Sequence, residues 1–182
     1  MGLRLADLRE APRLPPGYRI AAWDPAYLDA VAEVDWHAYR RTIDATLYWR
    51  YFRTPRDCRR MWEEALRGKF GLFDAERTRL LFHEETLCGD ILCVVRPSGE
   101  GFIGNLAVLP EHRGGTGRGL LLSALGAYRD AGFERVSLAV TLANQRAYRL
   151  YTTLGFRRLY RFPVATRPGP WGDGAWRTAG VR

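Results

Sequence analysis

Residues 101–131 read GFIGNLAVLPEHRGGTGRGLLLSALGAYRDA, and the chemistry of this run sits in Arg113, Gly114, Gly115, Thr116, Gly117, Arg118 and Gly119. Four glycines leave little side chain between the backbone and a visitor, so amide N–H groups at the positive end of a following helix can converge on an anion. Arg113 and Arg118 flank those amides and can add charged hydrogen bonds to phosphate oxygens. The run lacks a Gly-Lys-Ser/Thr ending, and its glycines do not follow the dinucleotide fingerprint. A phosphate cradle of a third kind and a merely mobile connection both fit. Farther on, NQRAYRLYTTLGF sets Ala147, Leu150, Tyr151 and Leu154 three and four residues apart. That spacing turns Tyr151 toward a sheet, with a hydroxyl that needs a polar partner, and Asn144 stands where a helix N-cap belongs.

These groups need elements to hold them. Ile103, Leu106 and Val108 form a short apolar run ended by Pro110, and the helical spacing of Leu120, Leu121, Leu122, Ala124, Leu125 and Tyr128 follows the glycines. The pattern is strand, glycine loop, helix. Upstream, residues 1–17 are rich in proline and arginine and predict an irregular lead-in. A strand follows at 18–23, and Asp24 and Pro25 open a helix reaching about residue 39. Residues 40–55 carry Tyr48, Trp49, Tyr51 and Phe52 in a pattern that settles neither loop nor helix. A second helix covers 55–67, with Met61, Trp62, Ala65 and Leu66 inward.

Residues 70–73 read as a strand start or approach loop. Strands at 78–83 and 87–95, with the turn at 97–101, lead back into the strand before the glycines as an antiparallel meander. Gly132 closes the helix after the glycine loop, and a strand at 135–141, a helix at 144–154 and a strand at 157–162 complete the order. The expectation is a mixed α/β (α+β) fold, its sheet antiparallel in the first half, with helices on both faces. The domain spans 18–166, preceded by the lead-in 1–17 and followed by a Gly/Pro/Trp-rich tail, 167–182.

At 182 residues, 47% of them apolar, the chain can bury a real core as one domain. No apolar run is long enough for a bilayer, and residues 1–17 show no hydrophobic region with a cleavage site, so a cytoplasmic protein without a membrane partner is expected. Cys58, Cys88 and Cys93 cannot close a set of disulfides and show no metal-ligand spacing; they are expected to be free, buried thiols, with no metal bound. A formal charge of +8 favours anionic partners. The basic residues are scattered without interleaved aromatics, which places nucleic acid last among those partners.

Two blocks together resemble the GCN5-related N-acetyltransferases (GNAT). Residues 105–121, NLAVLPEHRGGTGRGLL, are similar to that family's pyrophosphate loop, and Asn144, Ala147, Leu150, Tyr151, Gly155 and Phe156 stand at the spacing of its later helix. The resemblance implies acetyl-CoA as cosubstrate, with its pyrophosphate in the loop from Arg113 to Gly119. It implies that Leu106, Ala107 and Val108 hold the cofactor's arm as a strand edge would, a backbone N–H there polarising the thioester carbonyl. Asn144 and Ala147 would lie beside that arm, and Tyr151 would protonate the departing sulfur as general acid.

The implied activity is acetyl transfer to a primary amine of a small molecule or a protein. A non-catalytic acyl-CoA-binding or sensing domain is the alternative from a different class, and a nucleic-acid-binding module ranks last. Counted from Pro110, Gly115 and Gly117 come one residue early, so the loop is shortened by one. Asn105 and Ala139 occupy the positions where many relatives carry a glutamate, and neither takes a proton. An amine of pKa about 10.4 still has to lose one. Glu33, Asp35, His37, His83 and Glu84 stay open as its acceptor, while His112 fits the surface or the phosphate side. The acceptor is not readable; its walls are sought at residues 48–52 and around Trp171 and Trp176. The oligomeric state is open, a homodimer included.

Overall fold

The computed structural model describes residues 1–160. Seven strands form one sheet: β1 (Gly2–Arg4), β2 (Tyr18–Ala22), β3 (Leu72–Phe73), β4 (Arg79–His83), β5 (Thr86–Val95), β6 (Gly101–Val108) and β7 (Arg135–Leu138). Six helices accompany them: α1 (Leu28–Tyr39), α2 (Ile43–Leu47), α3 (Trp49–Phe52), α4 (Pro55–Leu66), α5 (Thr116–Asp130) and α6 (Gln145–Thr153). The strand order is β1-β7-β6-β5-β4-β2, with β3 on β5 beyond the end of β4. Every pairing is antiparallel except β6 with β7. The mixed sheet read from the sequence is therefore present.

Alternation along the strands separates two apolar layers. Leu81, Ile91, Cys93 and Ile103 face Leu120, Leu121, Leu125 and Tyr128 of α5, together with Tyr151, Leu154 and Phe156. Leu80, Phe82, Leu92 and Val94 face Val31, Met61 and Trp62 of α1 and α4. Local signals start and stop these helices as their chemistry predicts. Asp24 accepts from the Ala26 amide at 2.8 Å and caps a 3-10 turn, Pro25–Tyr27, that leads into α1; Thr54 caps α4 through the Asp57 amide at 3.1 Å, and Gly132 takes the left-handed conformation after α5. The aromatic run at 40–55 resolves into α2 and α3. Cys58, Cys88 and Cys93 are buried and free.

One feature of the sheet shapes everything near the glycine loop. Leu92 pairs with Asn105 and Cys93 with Ile103, so Gly104 is the extra residue of a β-bulge. A Cβ there would meet Leu92 Cδ2 at 2.5 Å. Pairing with β7 stops at Ile103, the residue before the bulge. A bulge bends its strand, so from Gly104 to Val108 β6 continues along β5 and leaves β7 behind. The two strands splay, and one edge of β6 stays open.

The lead-in is a correction. Residues 2–4 are a sheet strand paired antiparallel with β7, and Leu3, Leu5 and Leu8 are buried in the core beneath α5 and α6. Residues 2–8 are thus part of the packed core and not an irregular lead-in. A three-residue strand is too short to show a period, and its proline-rich sequel masks it. The strand expected at 135–141 ends at Leu138. Of the strand expected at 157–162, Arg157 makes one antiparallel bridge to Gly2; residues 161 onward, the tail 167–182, Trp171 and Trp176 lie outside the described residues.

Candidate functional site

Strand β6 carries the first group of candidates. The Leu109 amide donates to the Cys88 carbonyl at 2.9 Å, toward β5, so alternation turns the backbone of Leu106 and Val108 to the edge that β7 has left. The Leu106 carbonyl accepts from Tyr39 Oη at 2.8 Å and the Val108 carbonyl from Arg113 Nε at 3.1 Å. Ala107 is turned toward β5, and its side chain is buried with Val34 and Ala38. Of the three strand residues, Leu106 and Val108 offer edge amides.

The glycine loop follows a single 3-10 turn, Pro110–His112. Gly114 and Gly115 have φ of 111° and 108°, a region L side chains avoid, and nothing lies within 4 Å of where a Cβ would stand. The amides of Gly114, Gly115, Thr116, Gly117 and Arg118 make no hydrogen bond among the described residues. They are the bare N-terminal turn of the 15-residue helix α5. Thr116 Oγ1 turns back to the His112 carbonyl at 2.5 Å.

The arginines are placed differently from the amides. Arg113 reaches inward to the carbonyls of Val108 and Ala38, at 3.1 and 3.2 Å, tying β6 to α1. Burial, and then the charge of Arg146, hold its guanidinium below the ordinary arginine range. Arg118 grips both carboxylate oxygens of Glu10, at 2.5 and 3.0 Å, and Thr153 Oγ1 at 3.0 Å. Gly119 serves packing: a Cβ would strike the Arg13 carbonyl at 2.5 Å, because residues 13–14 cross the helix there. His112 bonds Tyr18 Oη at 3.1 Å and packs beside His83.

At the start of α6, Asn144 caps the helix as its position predicts, Oδ1 accepting from the Ala147 amide at 3.1 Å. Its Nδ2 donates to Asp44 Oδ2 at 2.7 Å, and Thr141 Oγ1 donates to Asp44 Oδ1 at 2.5 Å. Helix α2 is thereby tied to the turn after β7. Tyr151 is buried at 7% exposure, its ring against Phe156. Burial, and then the charge of Asp44, push its phenol well above the ordinary range, so it is a protonated donor at neutral pH. The polar partner expected for its hydroxyl is not among the described residues.

Beneath β6 lies a polar cluster that the sequence did not reveal as one. Asn105 Nδ2 donates to Asp35 Oδ1 at 2.6 Å and to Asp90 Oδ1 at 3.0 Å, and Tyr39 Oη donates to Asn105 Oδ1 at 2.9 Å. Trp62 Nε1 holds the other oxygen of Asp35 at 2.8 Å, while Asp90 Oδ2 is buried with no partner among the described residues. Burial raises both carboxyl groups, Asp35 to about 7, and the Asp35 charge raises Asp90 further. Of the proton acceptors left open by the sequence, Asp35 alone reaches this strand; Glu33, His37 and Glu84 are exposed, and His83 stays with Tyr18 and His112. Asp90 and Asp44 were missed. A charged residue inside the apolar run LCGDILCVV was the available signal for Asp90; Asp44, in a five-residue helix, offered none.

No group of three or more potential metal ligands exists among the described residues, and no helix there is long and apolar enough to cross a membrane. Two surface grooves, one along residues 98–100 and 131–135 and one along 7–10 and 153–155, include neither the β6 edge nor Tyr151.

The family described as Acetyltransferase (GNAT) matches residues 36–156. A mycothiol acetyltransferase of Thermobispora bispora is 34% identical over 151 residues, which are 81% of this chain and 49% of that protein. The chain spans about half the length of the curated relatives it matches. Among solved structures, a GCN5-related N-acetyltransferase from Sphaerobacter thermophilus superposes with a TM-score of 0.62 at 23% identity, covering 85% of this chain and 45% of that one. Arabidopsis thaliana Naa50 in complex with the bisubstrate analogue CoA-Ac-MVNAL gives a TM-score of 0.54 at 20% identity, covering 78% and 83%. At these identities the structural matches establish a shared fold.

Proposed function

Because this chain belongs to the Acetyltransferase (GNAT) family, whose match takes in β6, the glycine loop and α6, we propose that it transfers an acetyl group from acetyl-CoA to a primary amine. The observation that carries the reading is the splay. The open edge of β6 at Leu106 and Val108 runs on into a helix N-terminus of five unbonded amides, and the buried, protonated Tyr151 acts on Tyr39, which bonds the Leu106 carbonyl. A substrate with a pyrophosphate, an amide-bearing arm and a thioester matches those three features.

The fit rests on groups of this chain. The amides of Gly114 to Arg118 are unbonded, and nothing lies within 4 Å of where a Cβ would stand at Gly114 and Gly115, so an anion can accept from them there. The amides of Leu106 and Val108 can pair with an extended arm, and one directed at the thioester carbonyl stabilises the oxyanion that forms on attack. Tyr39, bonded to both the Leu106 carbonyl and Asn105, fixes the strand at that point. The amine nitrogen attacks the carbonyl carbon, the C–S bond breaks, and the Tyr151 hydroxyl gives its proton to the thiolate.

A thermal melt with acetyl-CoA or CoA, followed by CoA release on a panel of primary amines, tests the reading. A ligand at a hundred times its dissociation constant stabilises by about 2.7 kcal/mol. An upward shift with both ligands and CoA release with an amine are expected, and no shift at saturating ligand would overturn it. A second reading, an acyl-CoA-binding domain without turnover, draws on Asn105 standing where a base would be useful. It predicts the shift without CoA release.

A further inference from the structure

Four aspartates are buried among the described residues, and three have their charge accounted for. Asp74 holds the Arg77 guanidinium through both oxygens, at 2.8 and 2.9 Å. Asp35 and Asp90 share the Asn105 amide, and burial drives both toward the neutral acid. Asp44 is different. It is 6% exposed, its two oxygens accept from neutral donors alone, Thr141 Oγ1 and Asn144 Nδ2, and no cation reaches it among the described residues. A buried carboxylate held only by neutral donors lacks the partner that best offsets its lost hydration. Each oxygen still has a lone pair to offer.

The surroundings suit a small cation. Phenols from three elements feel the Asp44 charge: Tyr39 at the end of α1, Tyr48 between α2 and α3, and Tyr151 on α6, each raised by burial first and by Asp44 among the lesser causes. None of the three carries a positive charge. Their rings are favourable neighbours for an ammonium. Tyr39 also bonds the Leu106 carbonyl at the open edge of β6 and feels the charges of both Tyr151 and Asp44, and Asp44 holds the Asn144 cap of the helix that carries Tyr151.

We propose that Asp44 anchors the ammonium of the acceptor and takes its proton, so that the acceptor class is a primary alkyl amine admitted as a cation. This rests on the acetyl-transfer reading above. The ammonium gives one proton to Asp44 and becomes the free amine, whose lone pair forms the C–N bond as the thioester carbonyl becomes an oxyanion. Collapse breaks the C–S bond, the thiolate takes the Tyr151 proton, and the second proton lost from nitrogen restores the phenol. Asp44 then releases its proton to solvent, leaving an amide and a thiol. A hydroxyl analogue of the same chain brings no charge to Asp44 and is not acetylated.

The test uses the full chain and its Asp44→Asn variant, with butylamine, spermidine and a peptide with a free α-amino group as probes. Acetyl-CoA thermal shift and CoA release are followed from about pH 6 to about pH 10. Asp44→Asn is expected to keep the acetyl-CoA shift and to lose about 100-fold in kcat/KM at neutral pH. The loss should shrink to about tenfold or less near the amine's own pKa, where solution supplies the free base. A variant within about twofold of the parent at neutral pH, or a loss equal at every pH, overturns the proposal. So does loss of the acetyl-CoA shift in the variant, which would put Asp44 on the cofactor side. A parent chain that shows the shift but releases no CoA with the three probes overturns this inference and leaves acyl-CoA binding intact. A parent chain without the shift removes the acetyl-transfer reading itself.

Discussion

Asn105 Nδ2 lies 2.6 Å from Oδ1 of Asp35, so an amide-to-acid hydrogen bond joins the central strand to the first helix in the interior. The same nitrogen reaches Asp90, and the Asn105 oxygen holds Tyr39. A neutral residue at this position is therefore no vacancy in the interior. It is the donor that lets two acids coexist under β6, and through Tyr39 it steadies the Leu106 carbonyl at the open edge.

Removing that donor strands several buried groups at once. Asn105→Ala is expected to cost about 3 kcal/mol, because Asp35, Asp90 and Tyr39 each lose a partner away from water. Asn105→Asp is expected to cost more, since it replaces the donor with a third acid. Urea unfolding at neutral pH measures both, and a loss below about 1 kcal/mol in the alanine variant would show that the cluster is hydrated.

Asp35 makes stability fall as pH rises. Unfolded, its carboxyl ionises above 3.8; folded, burial keeps it protonated up to about 7. Between those values the folded chain holds more protons than the unfolded one, so the contribution is complete below about pH 4 and lost by about pH 7, and Asp90 acts in the same direction. The unfolding free energy of the parent chain relative to Asp35→Asn should decline across that window. A difference that does not change with pH would contradict it.

Tyr151→Phe removes a hydroxyl that bonds no described residue. The melting temperature and the shift with acetyl-CoA should stay as they are, while turnover falls by about 100-fold or more. Turnover equal to the parent's would take the general-acid role away from Tyr151.

Two glycines of α5 answer alanine in opposite ways. At Gly119 the new methyl meets the Arg13 carbonyl, and about 2 kcal/mol should be lost. At Gly126 nothing lies within 4 Å, and the relieved backbone entropy should add about 0.5–1 kcal/mol. Denaturant midpoints of the two variants, expected on either side of the parent, decide it.

What the sequence by itself determined is local in origin. Asn144 caps α6, Thr54 starts α4, Asp24 opens the 3-10 turn that leads into α1, Gly132 ends α5, and the glycines after Pro110 separate a strand from a helix, because each depends on neighbours within a few residues. Alternation placed most of the sheet for the same reason, and the two blocks at 105–121 and 144–156 were enough to identify the family. The tertiary structure alone decided the rest. Gly104 looks like any strand glycine until β5 shows it to be the bulge that parts β6 from β7. Residues 2–4 become a strand only when β7 lies alongside. Asp90 joins Asp35 across β5 and α1, and Asp44 meets Thr141 and Asn144 nearly a hundred residues away along the chain. Such contacts leave no periodicity to read, since a buried polar pair is chosen by what faces it across the core and not by what precedes it in the chain.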